Sequence, residues 1–150
     1  MSKAAAAAQR KLAQVKCLIP AGKATPQPPL SATLGQRGIK VMEFCKLFNE
    51  RTKKFEVGTL IPTRIKINPD RTFTFETNLP PITWLLKRAA KIEKGASKAG
   101  HEWVGKISLK ELYEIALIKH NQENLKRSSL QSICKSIIAT AKGMGIQVVP

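Results

Sequence analysis

The side chains that most often carry catalysis or hold metals are few in this chain and widely spaced. They are His101, His120, ten acidic residues, and the cysteines Cys17, Cys45 and Cys134. Catalysis needs a nucleophile beside a base, paired carboxylates or converging metal ligands, and no spacing here assembles any of these. The cysteines are odd in number and far apart, without the short paired spacing of a zinc site or a disulfide framework, which suits a reducing compartment. Cys45 and Cys134 fall on apolar helical stripes and read as small core residues. His101 sits in a glycine-broken loop and His120 near a helix end, where solvated imidazoles are expected. No Walker-type loop is present to bind a nucleotide. The residues therefore predict no catalytic site, no metal, no cofactor and no small-molecule substrate.

The chemistry that the sequence does offer is charge. Across 150 residues, 26 basic side chains face 10 acidic ones, a formal net charge of +16. Such a body repels itself unless it sits against something anionic. Nucleic acid is the first candidate. Aromatics make up only 5% of the chain, which favours reading backbone and shape over stacking bases on exposed rings. A membrane is the rival partner. No run of about 18 apolar residues exists to span one, and the basic residues are spread along the chain where a membrane-surface helix would gather them on one face.

Two segments could meet a phosphate backbone. Gly35-x-x-Gly38 has the pattern of a KH-type backbone clamp, but so short a pattern is better explained as a helix-breaking turn. The stronger segment is Ala139-Thr140-Ala141-Lys142-Gly143-Met144-Gly145. Its small residues let backbone approach backbone, Lys142 supplies charge, and Lys135 and the basic loop at Lys94 and Lys98 belong to the same half of the chain. Plain helix packing is the alternative for those small residues.

The elements that must position these groups divide into two sets. Val15 to Ile19 is strand-like and leads into Pro20-Ala21-Gly22-Lys23-Ala24-Thr25-Pro26-Gln27-Pro28-Pro29, too proline-rich for helix or central strand. Its prolines limit backbone freedom, so it can hold one shape at low entropic cost. After Leu34-Gly35-Gln36-Arg37-Gly38 breaks the chain, Val41, Phe44, Cys45 and Phe48 recur at helical spacing, with Lys40, Glu43, Lys46 and Glu50 opposite. Ile65 and Ile67, then Phe73 and Phe75, alternate with polar residues around Asn68-Pro69-Asp70-Arg71, predicting a β-hairpin with one apolar face. The first domain, 15–78, is thus expected to be a small α+β unit, a helix on a sheet of roughly three strands.

Asn78-Leu79-Pro80-Pro81 then reads as a stop and a stiff hinge over 79–82, with Pro80 and Pro81 at its centre. Beyond it the period is helical. Ile82, Leu85, Leu86, Ala89 and Ala90 form one stripe, backed by Lys87, Arg88 and Lys91. Glu93 to Gly105 has no period and suggests a mobile basic loop. Ser108 and Glu111 form a capping box that opens a helix expected to bury Leu109, Leu112, Tyr113, Ala116 and Leu117. A last helix buries Leu130, Ile133, Cys134, Ile137, Ile138 and Ala141 and stops at Gly143-Met144-Gly145, leaving a strand-like Ile146 to Val149. The fold class is therefore α+β, with an all-helical bundle over 83–150. Each half is basic: 14 basic and 5 acidic residues precede Asn78, and 12 and 5 follow Pro81.

Several of these blocks resemble one known family. The proline-rich segment Pro20 to Pro29, Leu34-Gly35-Gln36-Arg37-Gly38 and Met42-Glu43-Phe44-Cys45-Lys46-x-Phe48-Asn49 look like the N-terminal signature of the ribosomal protein L-eleven family. The order continues through Asp70-Arg71-x-Phe73-Thr74-Phe75, Pro80-Pro81, Leu85-Leu86-Lys87, Val104-Gly105-Lys106-Ile107-Ser108 and Thr140-Ala141-Lys142-x-Met144-Gly145, so that the likeness covers nearly all of the chain after about Val15. It implies a structural constituent of the large ribosomal subunit. The C-terminal domain would clamp folded rRNA in the GTPase-associated centre, at the base of the stalk, and the partners would include acidic stalk proteins and translational GTPases. RNA contact would fall to Thr140, Ala141, Lys142, Gly143, Met144 and Gly145, with Lys87, Lys91, Lys94, Lys98, Lys106 and Lys135 around them. Factor and antibiotic contact would fall to Lys23, Pro26, Pro28 and Pro29.

After Pro29 the family's usual Val-Gly-Pro-Ala reads Leu30-Ser31-Ala32-Thr33 here, a departure that bears on loop rigidity and antibiotic response. The segment 1–14 is expected to be a basic arm or the remnant of a presequence: Met1 to Lys16 holds Lys3, Arg10, Lys11 and Lys16 and no acid. With the high charge, these features point to a mitochondrial member, the alternative being the bacterial cytoplasm. Other readings are a free-standing DNA-binding regulator with a helix-turn-helix-like or KH-like domain and an RNA-modifying enzyme, for which no acid, base or metal cluster can be assembled.

Overall fold

The structure is a computed structural model that describes residues 13–28, 30–68 and 70–150. Residues 1–12 of the expected N-terminal arm and Pro29 therefore lie outside the described residues, as does Pro69 in the hairpin turn, while Ala13 and Gln14, expected in the arm, belong to the first strand. The chain divides after Asn78 into two compact units.

The first unit is built on an antiparallel sheet of β1 (Ala13–Pro20), β2 (Leu60–Ile67) and β3 (Phe73–Thr77), in that order. β1 runs against β2 from Ala13 opposite Ile67 to Pro20 opposite Leu60, and β2 against β3 from Thr63 opposite Thr77 to Ile67 opposite Phe73. Because side chains alternate faces along a strand, Ile61, Thr63, Ile65 and Ile67 of β2 are buried while their neighbours are half-exposed. Against the buried face lies α2 (Val41–Arg51), whose Phe44, Cys45 and Phe48 are buried as the helical spacing predicts. Phe44 meets the rings of Phe73 and Phe75 edge-on at 5.7 and 5.4 Å, which locks helix to hairpin. Truncating Phe44 to alanine would cost about 3–5 kcal/mol by loss of transfer energy and creation of a cavity. A six-residue helix, α1 (Leu30–Gly35), precedes α2 and was not expected from the sequence. It is the run that departs from the family pattern, and it is pinned by buried Leu30 and Leu34.

The second unit packs α3 (Ile82–Ala89), α4 (Leu109–His120) and α5 (Leu130–Gly143) around Leu86, Leu112, Ile137 and Ala141, all fully buried. The capping box at the start of α4 is formed: Glu111 N–H donates to Ser108 Oγ at 3.2 Å, and Ser108 N–H to Glu111 Oε2 at 2.9 Å. Two expectations are corrected. The unit is not all-helical, because β4 (Gly105–Ser108) and β5 (Ile146–Val149) pair in parallel, with Gly105 opposite Ile146. The segment that read as strand-like at the C-terminal end thus has a partner some forty residues away. On α4 the buried face is Leu112, Ile115, Ala116 and Lys119, while Leu109, Tyr113 and Leu117 are exposed. Likewise Ile138 of α5 stands out toward solvent.

Lys119 is buried without a carboxylate partner among the described residues. Its ammonium donates weakly to Leu79 O and Gln122 Oε1, each at 3.4 Å, and burial pulls its pKa below the ordinary lysine value.

Candidate RNA interface

α5 ends at Gly143, and its last carbonyls are taken up by the following residues: Met144 N–H donates to Thr140 O and Ala141 O, and Gly145 N–H to Lys142 O. Gly145 adopts φ +73°, a conformation favouring glycine. Against this turn lies the loop between α3 and β4. Ala96 N–H donates to Met144 O at 2.9 Å and Val104 N–H to Gly145 O at 2.8 Å, so both ends of the basic loop are tied to the end of α5. The approach is close: a Cβ on Gly145 would lie 2.5 Å from Ala96 Cβ and 2.6 Å from Glu102 O. Small residues do let backbone approach backbone here, but the backbone they admit is the protein's own loop.

The structure therefore sorts the sequence-predicted residues. Ala141 is fully buried in the core and Gly145 is buried under the loop, so both position the surface without forming it. Lys142 and Gly143 are exposed at the helix end, with Thr140 and Met144 half-buried beside them. Thr140 Oγ1 donates to Ser136 O at 2.9 Å, which leaves its oxygen lone pairs free to accept. Lys135, also exposed, precedes Lys142 by two helical turns and so shares its side of α5. Lys94 and Lys98 are exposed in the loop and Lys106 on β4. None of these lysines forms an ion pair among the described residues, so their charge is available to a partner.

Lys91 is positioned by a motif that sequence reasoning missed. It follows α3 with φ +55°, while its N–H donates to Arg88 O and that of Ile92 to Lys87 O. This is a Schellman ending with lysine where glycine is the usual occupant. Lys87 is half-buried and Lys91 exposed.

In the first unit, Lys23, Pro26 and Pro28 are exposed on the proline-rich loop. That loop is held by α2 as well as by its own prolines. Asn49 grips Ala24 on both sides, accepting from its N–H at 3.1 Å and donating to its carbonyl at 3.3 Å. Gly22 N–H donates to Thr52 Oγ1 at 3.3 Å, and Ala21 bonds through its N–H to Thr59 O and through its carbonyl to Gly58 N–H. Asn49 stands in the signature block, but only the structure shows what it does. The Gly35-x-x-Gly38 segment is a turn following α1, where Gly38 N–H donates to Gly35 O at 3.0 Å and Gly38 has φ +75°.

Among the described residues no group of His, Cys, Asp or Glu could hold a metal, and no helix is long and apolar enough to cross a membrane. Burial pushes the Cys17 and Cys45 thiols above their ordinary value, which makes both less reactive.

A basic two-unit body whose second unit presents unpaired lysines on a buttressed loop and helix end defines a nucleic-acid-binding protein. Comparison with known families agrees. Residues 78–148 match the family model described as "Ribosomal protein L11, RNA binding domain", and residues 15–73 match "Ribosomal protein L11, N-terminal domain". Over 136 residues, 91% of this chain and 94% of the relative, it is 47% identical to "Large ribosomal subunit protein uL11m" of Schizosaccharomyces pombe. Over 141 residues, 94% of this chain and 96% of the relative, it is 44% identical to "Large ribosomal subunit protein uL11" of a Hydrogenobaculum strain.

The chain belongs to this ribosomal protein family. It is a structural, rRNA-binding constituent of the large ribosomal subunit and not an enzyme, as the sequence led us to expect. The more similar of these two relatives is the uL11m protein, in keeping with the expectation of a mitochondrial member of the family.

Proposed function

We propose that the second unit grips folded rRNA of the GTPase-associated centre, at the base of the stalk, through the exposed end of α5 and the loop tied to it. The single observation that carries this is the pair of backbone bonds, Ala96 to Met144 and Val104 to Gly145, that fastens the loop bearing Lys94 and Lys98 to the helix end bearing Lys142. Charges held on one braced surface bind a phosphate backbone without the entropic cost of ordering a loose loop. The first unit, on this reading, presents Lys23, Pro26, Pro28 and Pro29 to translational GTPases and acidic stalk proteins.

The pivot between the two functions falls at the Asn78–Leu79 junction. Asn78 N–H is bonded to Pro62 O of the sheet, whereas Leu79 O accepts from Lys119 and Pro81 O accepts from Trp84 and Leu85 N–H groups. Pro80 and Pro81 stiffen the chain just beyond the pivot.

The test is filter binding of the full chain to a transcript of the GTPase-associated centre across a salt series. Replacing Thr140 and Lys142 with alanine should weaken binding and lower the slope of log K against log salt by roughly one, the share of one lysine. Unchanged affinity would refute the assignment. Equal binding to duplex DNA would favour a free-standing regulator instead.

A further inference from the structure

Trp103 is the most exposed aromatic residue of the chain at 53%, and it stands in the basic loop described above. A single exposed apolar side chain is ordinary on a protein surface. What sets this one apart is that its backbone is fixed on both sides. Glu102 N–H donates to Lys98 O, the Glu102 carbonyl lies against the turn that only glycine at 145 permits, and Val104 N–H is bonded to Gly145 O. The ring is thus presented from a braced segment, with exposed Lys98 and Lys106, and the acid Glu102, close to it in the chain. Trp84 offers the contrast: it is half-buried, with the Arg88 guanidinium 5.2 Å from its ring centroid, whereas no ring or cation stacks on Trp103 among the described residues.

We propose that Trp103 is a stacking platform for one unpaired rRNA base. The proposal rests on the reading that the second unit binds RNA, and it adds base contact to a surface otherwise composed of phosphate-binding groups. A flat π-face on a braced segment with Lys98 and Lys106 nearby in the chain meets both needs of an extruded nucleotide, a surface for its base and charge for its phosphates. Two lysines against one acid in this segment favour an anionic partner over a neutral apolar protein surface. The low aromatic content that argues against a general single-strand binder is compatible with one ring used once.

The full chain carrying Trp84→Phe has Trp103 as its sole tryptophan and allows its emission to be followed while a GTPase-associated-centre transcript is titrated in. Emission should be quenched, with saturation at the RNA concentration given by filter binding. Trp103→Ala should weaken binding roughly tenfold or more while leaving the salt slope unchanged, because the ring carries no charge, and Trp103→Phe should retain most of the affinity. Binding by filter assay with unaltered emission and a wild-type affinity for Trp103→Ala overturns the stacking role while RNA binding stands. A loss in Trp103→Ala that phenylalanine does not restore, without quenching, also overturns it. If no variant or wild-type chain binds the transcript, the RNA reading falls as well.

Discussion

Both units display an exposed loop braced near a helix end, but they brace it differently. In the first, α2 lends side chains: Asn49 and Thr52 reach the backbone of the proline-rich loop at Ala24 and Gly22. In the second, the turn that follows α5 lends the carbonyls of Met144 and Gly145 to Ala96 and Val104, and the contact is close enough that residue 145 has no room for a side chain. A side-chain clamp holds a loop at one or two points and leaves its crest exposed, which suits a surface that meets changing protein partners. Backbone-to-backbone bracing at a position with no room for a side chain tolerates no substitution there, which suits a surface matched to one folded RNA. Substitution should therefore damage the second loop abruptly and the first gradually.

The largest effect is expected at Gly145→Ala. Its Cβ would enter the space of Ala96 and Glu102, at a positive φ that disfavours any side chain. We expect a loss of about 3 kcal/mol or more in denaturant unfolding, and faster hydrogen exchange at the Ala96 and Val104 amides than elsewhere in the unit. Next comes Asn49→Ala, which leaves the N–H and carbonyl of buried Ala24 without their partner. Its cost should be about 1–3 kcal/mol, seen as exchange at Ala24, with rRNA affinity unchanged. If Asn49→Ala weakened rRNA binding as much as Gly145→Ala, the division of labour between the loops would be wrong.

Smaller still, and opposite in sign, is Lys91→Gly. The left-handed residue that closes α3 is a lysine, so glycine there should raise stability by about 0.5–1 kcal/mol in thermal or denaturant unfolding. Affinity for rRNA should fall at the same time. A gain in stability with no loss of binding would show that Lys91 is an ordinary surface residue with an uncommon backbone.

What was legible in the sequence were features that announce themselves locally. Phe44, Cys45 and Phe48 lie on one stripe with charges opposite, Ser108 and Glu111 form a cap at fixed spacing, and the hairpin alternates around its turn. On α4 the same reasoning placed Leu112 and Ala116 correctly but Leu109, Tyr113 and Leu117 wrongly, because Leu109, Leu112, Tyr113, Ile115, Leu117 and Ile118 place apolar groups nearly all round the helix. Lys119 then buries its stem where a charged residue usually marks the outside. The pairing of β4 with β5 was hidden because it joins segments far apart in sequence. Gly145 was noticed for its size, yet only coordinates could show that the backbone it admits belongs to residues 96 and 102. Asn49 stood in the resembling block with no role legible, and Trp103 carried no local pattern at all.

The most direct measurement places the anchor in one unit. Two triple variants of the full chain remove equal charge from exposed lysines: Lys94→Gln, Lys98→Gln and Lys142→Gln in the second unit, and Lys23→Gln, Lys40→Gln and Lys46→Gln in the first. Affinity for a GTPase-associated-centre transcript is then measured from low to high salt. If the braced surface of the second unit is the anchor, the first set should lower the salt slope by roughly three and the second should leave it near that of the wild type. Equal losses from the two sets would contradict it.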